Sequence, residues 1–190
     1  YDQAIECFGE VLKLGRRIWG VNNIEMSNVL NSLGNVHRNR GELRRALRCY
    51  EESLRIRLLS GDQLSVANTK NNIGAIFTSM GQINRARQLY ADALRIKTDK
   101  LGSKHIETAR TLFNLGQLYM ADKQYKKALD FFDGSLQIFN LEIGKNQKGR
   151  ALRARRQQDR GGTVIGQCAA VGRPNTQRLP VCNGLFHPLS

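Results

Sequence analysis

Apolar residues recur along this chain at the spacing of one helix face, and the same face returns every 40 to 42 residues. One stripe reads Tyr1, Ala4, Phe8, Leu12; then Leu43, Ala46, Tyr50, Leu54; then Ile83, Ala86, Tyr90, Leu94; and last Tyr125, Ala128, Phe132, Leu136. Steps of three, four and four put these side chains on one side of an α-helix. A second stripe alternates with the first: Leu30, Leu33, Gly34, Val36; Ile73, Gly74, Ile76; and Leu112, Leu115, Gly116, Leu118. The pattern predicts an all-α chain of helix pairs. Helix A of each pair covers about 25 to 39, 65 to 79 and 107 to 121, and helix B about 43 to 58, 83 to 99 and 125 to 141.

Glycine inside a helix costs about 1 kcal/mol relative to alanine, so Gly34, Gly74 and Gly116 need a compensating reason. Close helix approach supplies it. Without a Cβ at the crossing, helix A can lie against Ala46, Ala86 or Ala128 of helix B, with the aromatic at 50, 90 or 132 filling the space beside it. Gly41 and Gly81 separate A from B, Asp122 and Lys123 replace glycine in the third copy, and Gly20, Gly61, Gly102 and Gly144 follow the B helices. The second unit is two residues shorter around Gly61, which puts the deletion in a connection.

The phrases Asn-Ser-Leu-Gly (31 to 34), Asn-Asn-Ile-Gly (71 to 74) and Phe-Asn-Leu-Gly (113 to 116), each followed by a helix with alanine, an aromatic and leucine in fixed register, resemble tetratricopeptide repeats. The long period is similar to that of kinesin light chains and nephrocystin-like proteins. The resemblance covers residues 1 to about 143. Tyr1 to Gly20 matches the B helix of a truncated repeat, and 25–60, 65–101 and 107–143 match three complete ones. The pattern is already running at Tyr1, so a preceding segment is expected. The resemblance implies an α-α superhelix, a solenoid of antiparallel helix pairs whose A helices line a concave peptide-binding side.

Charge changes the picture only at one end. The net charge is +14, but residues 1–144 carry 21 Lys and Arg against 15 Asp and Glu, whereas 145–190 carry 9 against 1. The repeat also stops there. Continuing the register calls for an apolar residue at 157 and glycine at 158, and both are Gln; all three prolines, Pro174, Pro180 and Pro188, lie further on. Residues 145–190 are therefore expected to be a disordered basic tail. It is either a genuine extension or sequence from a misread gene, and the abrupt loss of periodicity favours the second.

Candidate chemistry is sparse. Cys7, Cys49, Cys168 and Cys182 form no close pair of the kind that metal or redox sites use. Cys7 and Cys49 match Leu89 and Phe131 in register and are expected to be small core or interface hydrophobes. His37 stands where Phe77 and Tyr119 stand, which predicts packing, and His105 lies in the connection before helix A, where the resemblance implies a capping or turn role. No Gly-x-Ser-x-Gly, His-Glu-x-x-His or phosphate-binding glycine loop occurs. The expectation is no enzyme, no cofactor, no metal and no small-molecule substrate. No apolar run reaches the length of a membrane span, and cysteine usage together with the lack of Asn-x-Ser/Thr sites points to the cytoplasm.

Helix A positions outside the apolar stripe carry the remaining signal. They read Asn28, Asn31, Asn35 and Arg38 in the first unit; Asn68, Asn71 and Asn72 in the second; and Arg110, Asn114 and Gln117 in the third. Asparagine is a poor helix former, so its recurrence asks for a use. A ladder of carboxamides can donate to and accept from the main chain of an extended peptide, and Arg38 and Arg110 can attract its carboxylates. The lysine-and-asparagine clamp by which some members of the resembled family grip a C-terminal carboxylate is incomplete: Asn35, Asn72 and Arg110 match, whereas Asn31 and Asn114 replace basic residues. An internal, extended segment of a protein partner is the expected ligand, and the resemblance adds a light-chain-like cargo adaptor as a refinement. The alternative is binding of nucleic acid or another anionic surface through the tail and the arginines of the B helices, against which stands the lack of an aromatic stacking platform.

Overall fold

The computed structural model describes residues 1–145 and residue 147. These residues form helices and no strands: α1 (Asp2–Trp19), α2 (Ile24–Asn39), α3 (Leu43–Ser60), α4 (Gln63–Ser79), α5 (Ile83–Leu101), α6 (Ile106–Ala121) and α7 (125–145). α2, α4 and α6 are the A helices, α1, α3, α5 and α7 the B helices, and the architecture is an all-α repeat superhelix. Of the basic tail expected over 145–190, Lys145 is instead the end of α7 and residue 147 is helical; the rest lies outside the described residues.

Local chemistry punctuates each pair the same way. Every A helix is capped by a side chain: Asn23 Oδ1 accepts from the Glu25 N–H at 2.8 Å, Asp62 Oδ1 from Ser65 at 3.1 Å, and His105 Nδ1 from Glu107 at 3.1 Å. Each A helix then ends in one recurring turn. The N–H of Glu42 donates to His37 O, that of Gln82 to Phe77 O and that of Gln124 to Tyr119 O, at 2.8–2.9 Å. The residue before it is left-handed, with φ of 80° at Gly41, 73° at Gly81 and 59° at Lys123. Lys123 is thus a side chain held where its two equivalents are glycine.

Between pairs, Gly61 and Asp62 alone join α3 to α4, whereas the connections into α2 and α6 run from Gly20 to Asn23 and from Gly102 to His105. Gly144 differs from expectation. It ends nothing, because α7 runs through it.

Within a pair, the aromatic lies on the helical glycine itself. A Cβ added to Gly34 would fall 2.6 Å from Tyr50 Cε1, one at Gly74 2.8 Å from Tyr90 Cε1, and one at Gly116 2.5 Å from Phe132 Cε1. The ring therefore takes the space that the sequence pattern assigned to alanine. A second close approach, between small residues, sits two helical turns away. Ser53 Oγ donates to Ser27 O at 2.8 Å, and Ser135 Oγ to Ala109 O at 2.9 Å, with Ala93 and Ala67 at the equivalent positions; all six are buried.

Successive pairs are joined by a series of apolar clusters, the second and third meeting at Phe77. Leu12 of α1 meets Met26, Leu30 and Leu33 of α2 and Ile56 of α3; Ala46 and Tyr50 of α3 meet Ile73 and Ile76 of α4; and Ala86 and Tyr90 of α5 meet Leu115 and Leu118 of α6. Each B helix thus depends on the A helix that follows it. Where the described chain has no neighbour for a face, the stripe is bare: Tyr1, Tyr125 and Leu136 are exposed. The same reason leaves Cys7 outside the core. It is exposed, while its equivalent Cys49 packs half-buried on the first cluster.

Candidate functional site

One register position joins the core to the A-helix face. Seven residues after the core aromatic of each B helix come Gly15, Arg57, Lys97 and Phe139, and the helical period turns all four inward. Met26 Sδ stands 2.5 Å from where a Cβ on Gly15 would lie. Arg57 is buried and engaged through all three of its nitrogens. Its Nε donates to Ser27 Oγ at 3.1 Å, Nη2 to Asn28 Oδ1 at 2.9 Å, and Nη1 to Thr69 Oγ1 at 2.7 Å and Ser65 O at 3.1 Å. Burial pulls its pKa down, and the fork binds α2 to α4.

Lys97 is the same device with one arm missing. Its side chain is buried, but Nζ reaches only Glu107 of α6, at 3.3 Å from both the backbone oxygen and Oε2. Burial lowers the ammonium pKa below the ordinary lysine value, and the Glu107 carboxylate opposes that shift. Glu107 is held from its other side by Arg110 Nη1 at 3.1 Å. Two cations thus share one carboxylate, leaving a surplus positive charge.

Beside this trio a groove of about 570 Å³ opens between α4 and α6, lined by Asn68, Asn71, Asn72, Lys97, Glu107, Arg110, Phe113, Asn114 and Phe139. Half of the residues singled out by the sequence pattern meet here. Asn71 adds an unmet demand, since its side-chain oxygen is buried without a hydrogen-bond partner, a costly state for an amide. A narrower apolar pocket of about 350 Å³ adjoins, sharing Phe113 and Phe139 and adding Phe132 and Leu136. The site therefore offers cations, amides and an apolar recess side by side.

The other half of the predicted set lies outside the groove, and three of those residues have partners of their own. Asn28 accepts from Arg57, Asn31 accepts from Asn72 Nδ2 at 3.0 Å across α2 and α4, and Asn35 accepts from the Tyr50 hydroxyl at 2.7 Å. Arg38 is half-buried near Tyr50 and Tyr90, whose hydroxyl pKa values its charge pulls down against the larger effect of burial. Gln117 is exposed on α6. His37 is 7% exposed and meets Glu42 Oε2 at 2.6 Å, so it packs as its register predicts, and His105 caps α6.

Lys97, Glu107, Phe113 and Phe139 complete the groove without belonging to the asparagine pattern. The signal that marks Lys97 is its register, a cation on the inward face in two successive units. Among the described residues no group of three or more His, Cys, Asp and Glu is placed to hold a metal ion, and no helix is long and apolar enough to cross a membrane.

Residues 1–58 and 65–141 match the tetratricopeptide repeat family. Among curated proteins none matches significantly. Among solved structures, BtubC (BKLC) from P. vanneervenii is similar with a TM-score of 0.62 at 21% identity, over 95% of this chain and 78% of that one. The nearly identical TPR-like repeats of a Podosopora anserina protein assigned as a kinesin light chain give 0.59 at 16% identity, over 72% and 66%. A point variant of those repeats gives 0.62 at 17% identity, over 77% and 68%. At such identities the likeness is one of fold.

Proposed function

Because the chain belongs to the tetratricopeptide repeat family, we propose that this protein-interaction scaffold holds an extended peptide segment of a partner along its A-helix face, anchored between α4 and α6. The observation that carries the reading is the convergence of Asn68, Asn71, Asn72, Arg110 and Asn114 on one groove beside the buried Lys97. The amides hold the peptide main chain, which fixes its path at little cost in sequence demand. A ligand carboxylate answers the surplus charge of Lys97 and Arg110, and a bulky apolar side chain nearby enters the recess at Phe113 and Phe139. In this reading the chain works by binding, without catalysis, cofactor or small-molecule substrate, in the cytoplasm. A cargo-adaptor role of light-chain type is the refinement we favour, supported by the long repeat.

Selection of a displayed library of random extended peptides against the full chain tests the reading. Selected peptides should carry an acidic residue close to a large apolar one, and should bind Asn72→Ala/Asn114→Ala about tenfold more weakly or worse. Equal binding by that double variant, with its fold intact by circular dichroism, rules the groove out.

A further inference from the structure

Three B helices begin with cations, where the helix dipole disfavours them. α3 has Arg44 and Arg45 in its first turn, behind an N-cap Glu42 that makes no capping bond and already pairs with Arg40 and Arg45; α5 has Arg85 with Arg87 just beyond, and α7 has Lys126 and Lys127; neither α3 nor α5 has an acidic residue in its first turn. A helix N-terminus is itself positive, so each of these charges opposes local folding. The other helices behave normally. α1, α2 and α6 open with Asp2, Glu25 and Glu107, and α4 is capped by Asp62. Helix stability alone therefore does not account for the basic B-helix edge.

The charges form one continuous edge. A cavity of about 750 Å³ joins the first A–B turn to the second, lined among others by Leu43, Arg44, Arg45, Arg48, Met80 and Gln82. Arg87 Nη2, 3.2 Å from Asp122 Oδ2, joins the start of α5 to the third turn. The acids along the edge are already engaged, Glu42 by His37, Arg40 and Arg45, and Asp122 by Arg87 and Gln124. Arg44, Arg48, Lys123 and Lys126 are exposed and have no ion pair among the described residues.

We infer that this edge is a second interaction surface, separate from the groove, and that it receives an acidic polypeptide segment. An anionic partner follows from the unanswered cations. A polypeptide is favoured over nucleic acid because the Phe77 and Tyr119 rings along the edge are already covered by the chain's own cations: Arg85 lies over Phe77 at 5.8 Å, and Arg87 and Lys127 each lie 5.6 Å from the Tyr119 ring centre. That leaves Tyr125 exposed at the start of α7, and one ring is no platform for successive bases. It is favoured over a lipid surface because Leu43 and Met80 line a cavity between arginine-bearing turns, a relief that accepts side chains from a strand of carboxylates and that a plane of headgroups cannot enter.

The test uses the full chain and a short fluorescent oligo-glutamate peptide, with a single-stranded oligonucleotide and phosphatidylserine vesicles as parallel arms. Oligo-glutamate should bind with an affinity that falls as salt rises and should slow amide exchange at 41–48 and 122–128. Arg44→Glu/Arg48→Glu/Lys126→Glu should weaken it about tenfold or more, and the neutral triple Gln variant should weaken it less. Unchanged affinity in the triple Glu variant, exchange protection confined to 106–114, or binding of the oligonucleotide or vesicles in place of the peptide each overturns the inference.

Discussion

The hydroxyl of Tyr50 donates a 2.7 Å hydrogen bond to Asn35 Oδ1, so the ring that covers Gly34 in the core also restrains an amide on the A-helix face. Tyr50→Phe removes the donor while keeping the ring. Urea denaturation at neutral pH should show a loss of about 1 kcal/mol, and a loss near zero would show that the bond is made equally well to water.

The same residue predicts a response to alkali. Burial pushes the Tyr50 hydroxyl from its ordinary 10.0 up to about 12, and burial raises Tyr90 in the same direction. In the folded chain Tyr50 keeps its proton through a range in which the unfolded chain has lost it. Stability from this group is therefore whole below pH 10.0 and falls as pH rises toward about 12, by roughly 2–3 kcal/mol. Tyr50→Phe should flatten that part of the stability curve; an unaltered slope would place its origin elsewhere.

Alanine should have opposite effects at two helical glycines. At Gly116 the new methyl would meet Phe132 at 2.5 Å, and overpacking of that kind costs about 1–3 kcal/mol. At Gly144, inside α7 with nothing within 4 Å, the gain in helix propensity of up to about 1 kcal/mol is unopposed. Thermal melts of Gly116→Ala and Gly144→Ala should move down and up respectively.

Lys123 has φ of 59°, the conformation that costs an L-residue about 1–2 kcal/mol. Lys123→Gly relieves the strain and adds some freedom to the unfolded chain. A net rise of about 0.5–1 kcal/mol in chemical denaturation is expected, and a fall would mean that the lysine side chain makes a stabilising contact.

Lys97 and Arg57, equivalent in register, should respond differently to methionine. Arg57→Met strips Ser27, Asn28, Ser65 and Thr69 of a buried donor and should destabilise by about 3 kcal/mol or more. Lys97→Met removes a buried charge held by two long bonds and should leave stability within about 1 kcal/mol. Selected acidic peptides should nevertheless bind Lys97→Met at least about tenfold more weakly; retained affinity would exclude Lys97 from ligand contact.

The fold is readable in the sequence because its determinants repeat. Gly34, Gly74 and Gly116 come back in step with Tyr50, Tyr90 and Phe132, and agreement among copies makes a weak local signal strong. The site is less readable because its working parts are where the copies differ. Asn28 and Asn68 look alike in sequence, yet one is bound by Arg57 and the other lines an open groove beside Lys97. That difference depends on which side chain projects from the neighbouring B helix. Asn31 and Asn35 likewise bond within the chain, to Asn72 and Tyr50, a pairing that composition does not reveal. The second small-residue contact, Ser27 with Ser53, is hidden for a related reason: alanine replaces serine at several equivalent positions, and only geometry shows them to be the same joint.

The serial arrangement of the apolar clusters, each confined to consecutive helices, has a mechanical consequence. Tension applied between Tyr1 and Gly144 meets contacts arranged in series rather than in parallel. A chain stretched in an optical trap should lengthen in several small steps, one helix pair at a time, instead of rupturing once. A partner tethered across the array would then be coupled to its anchor through a spring that yields under load and recoils when the load is removed.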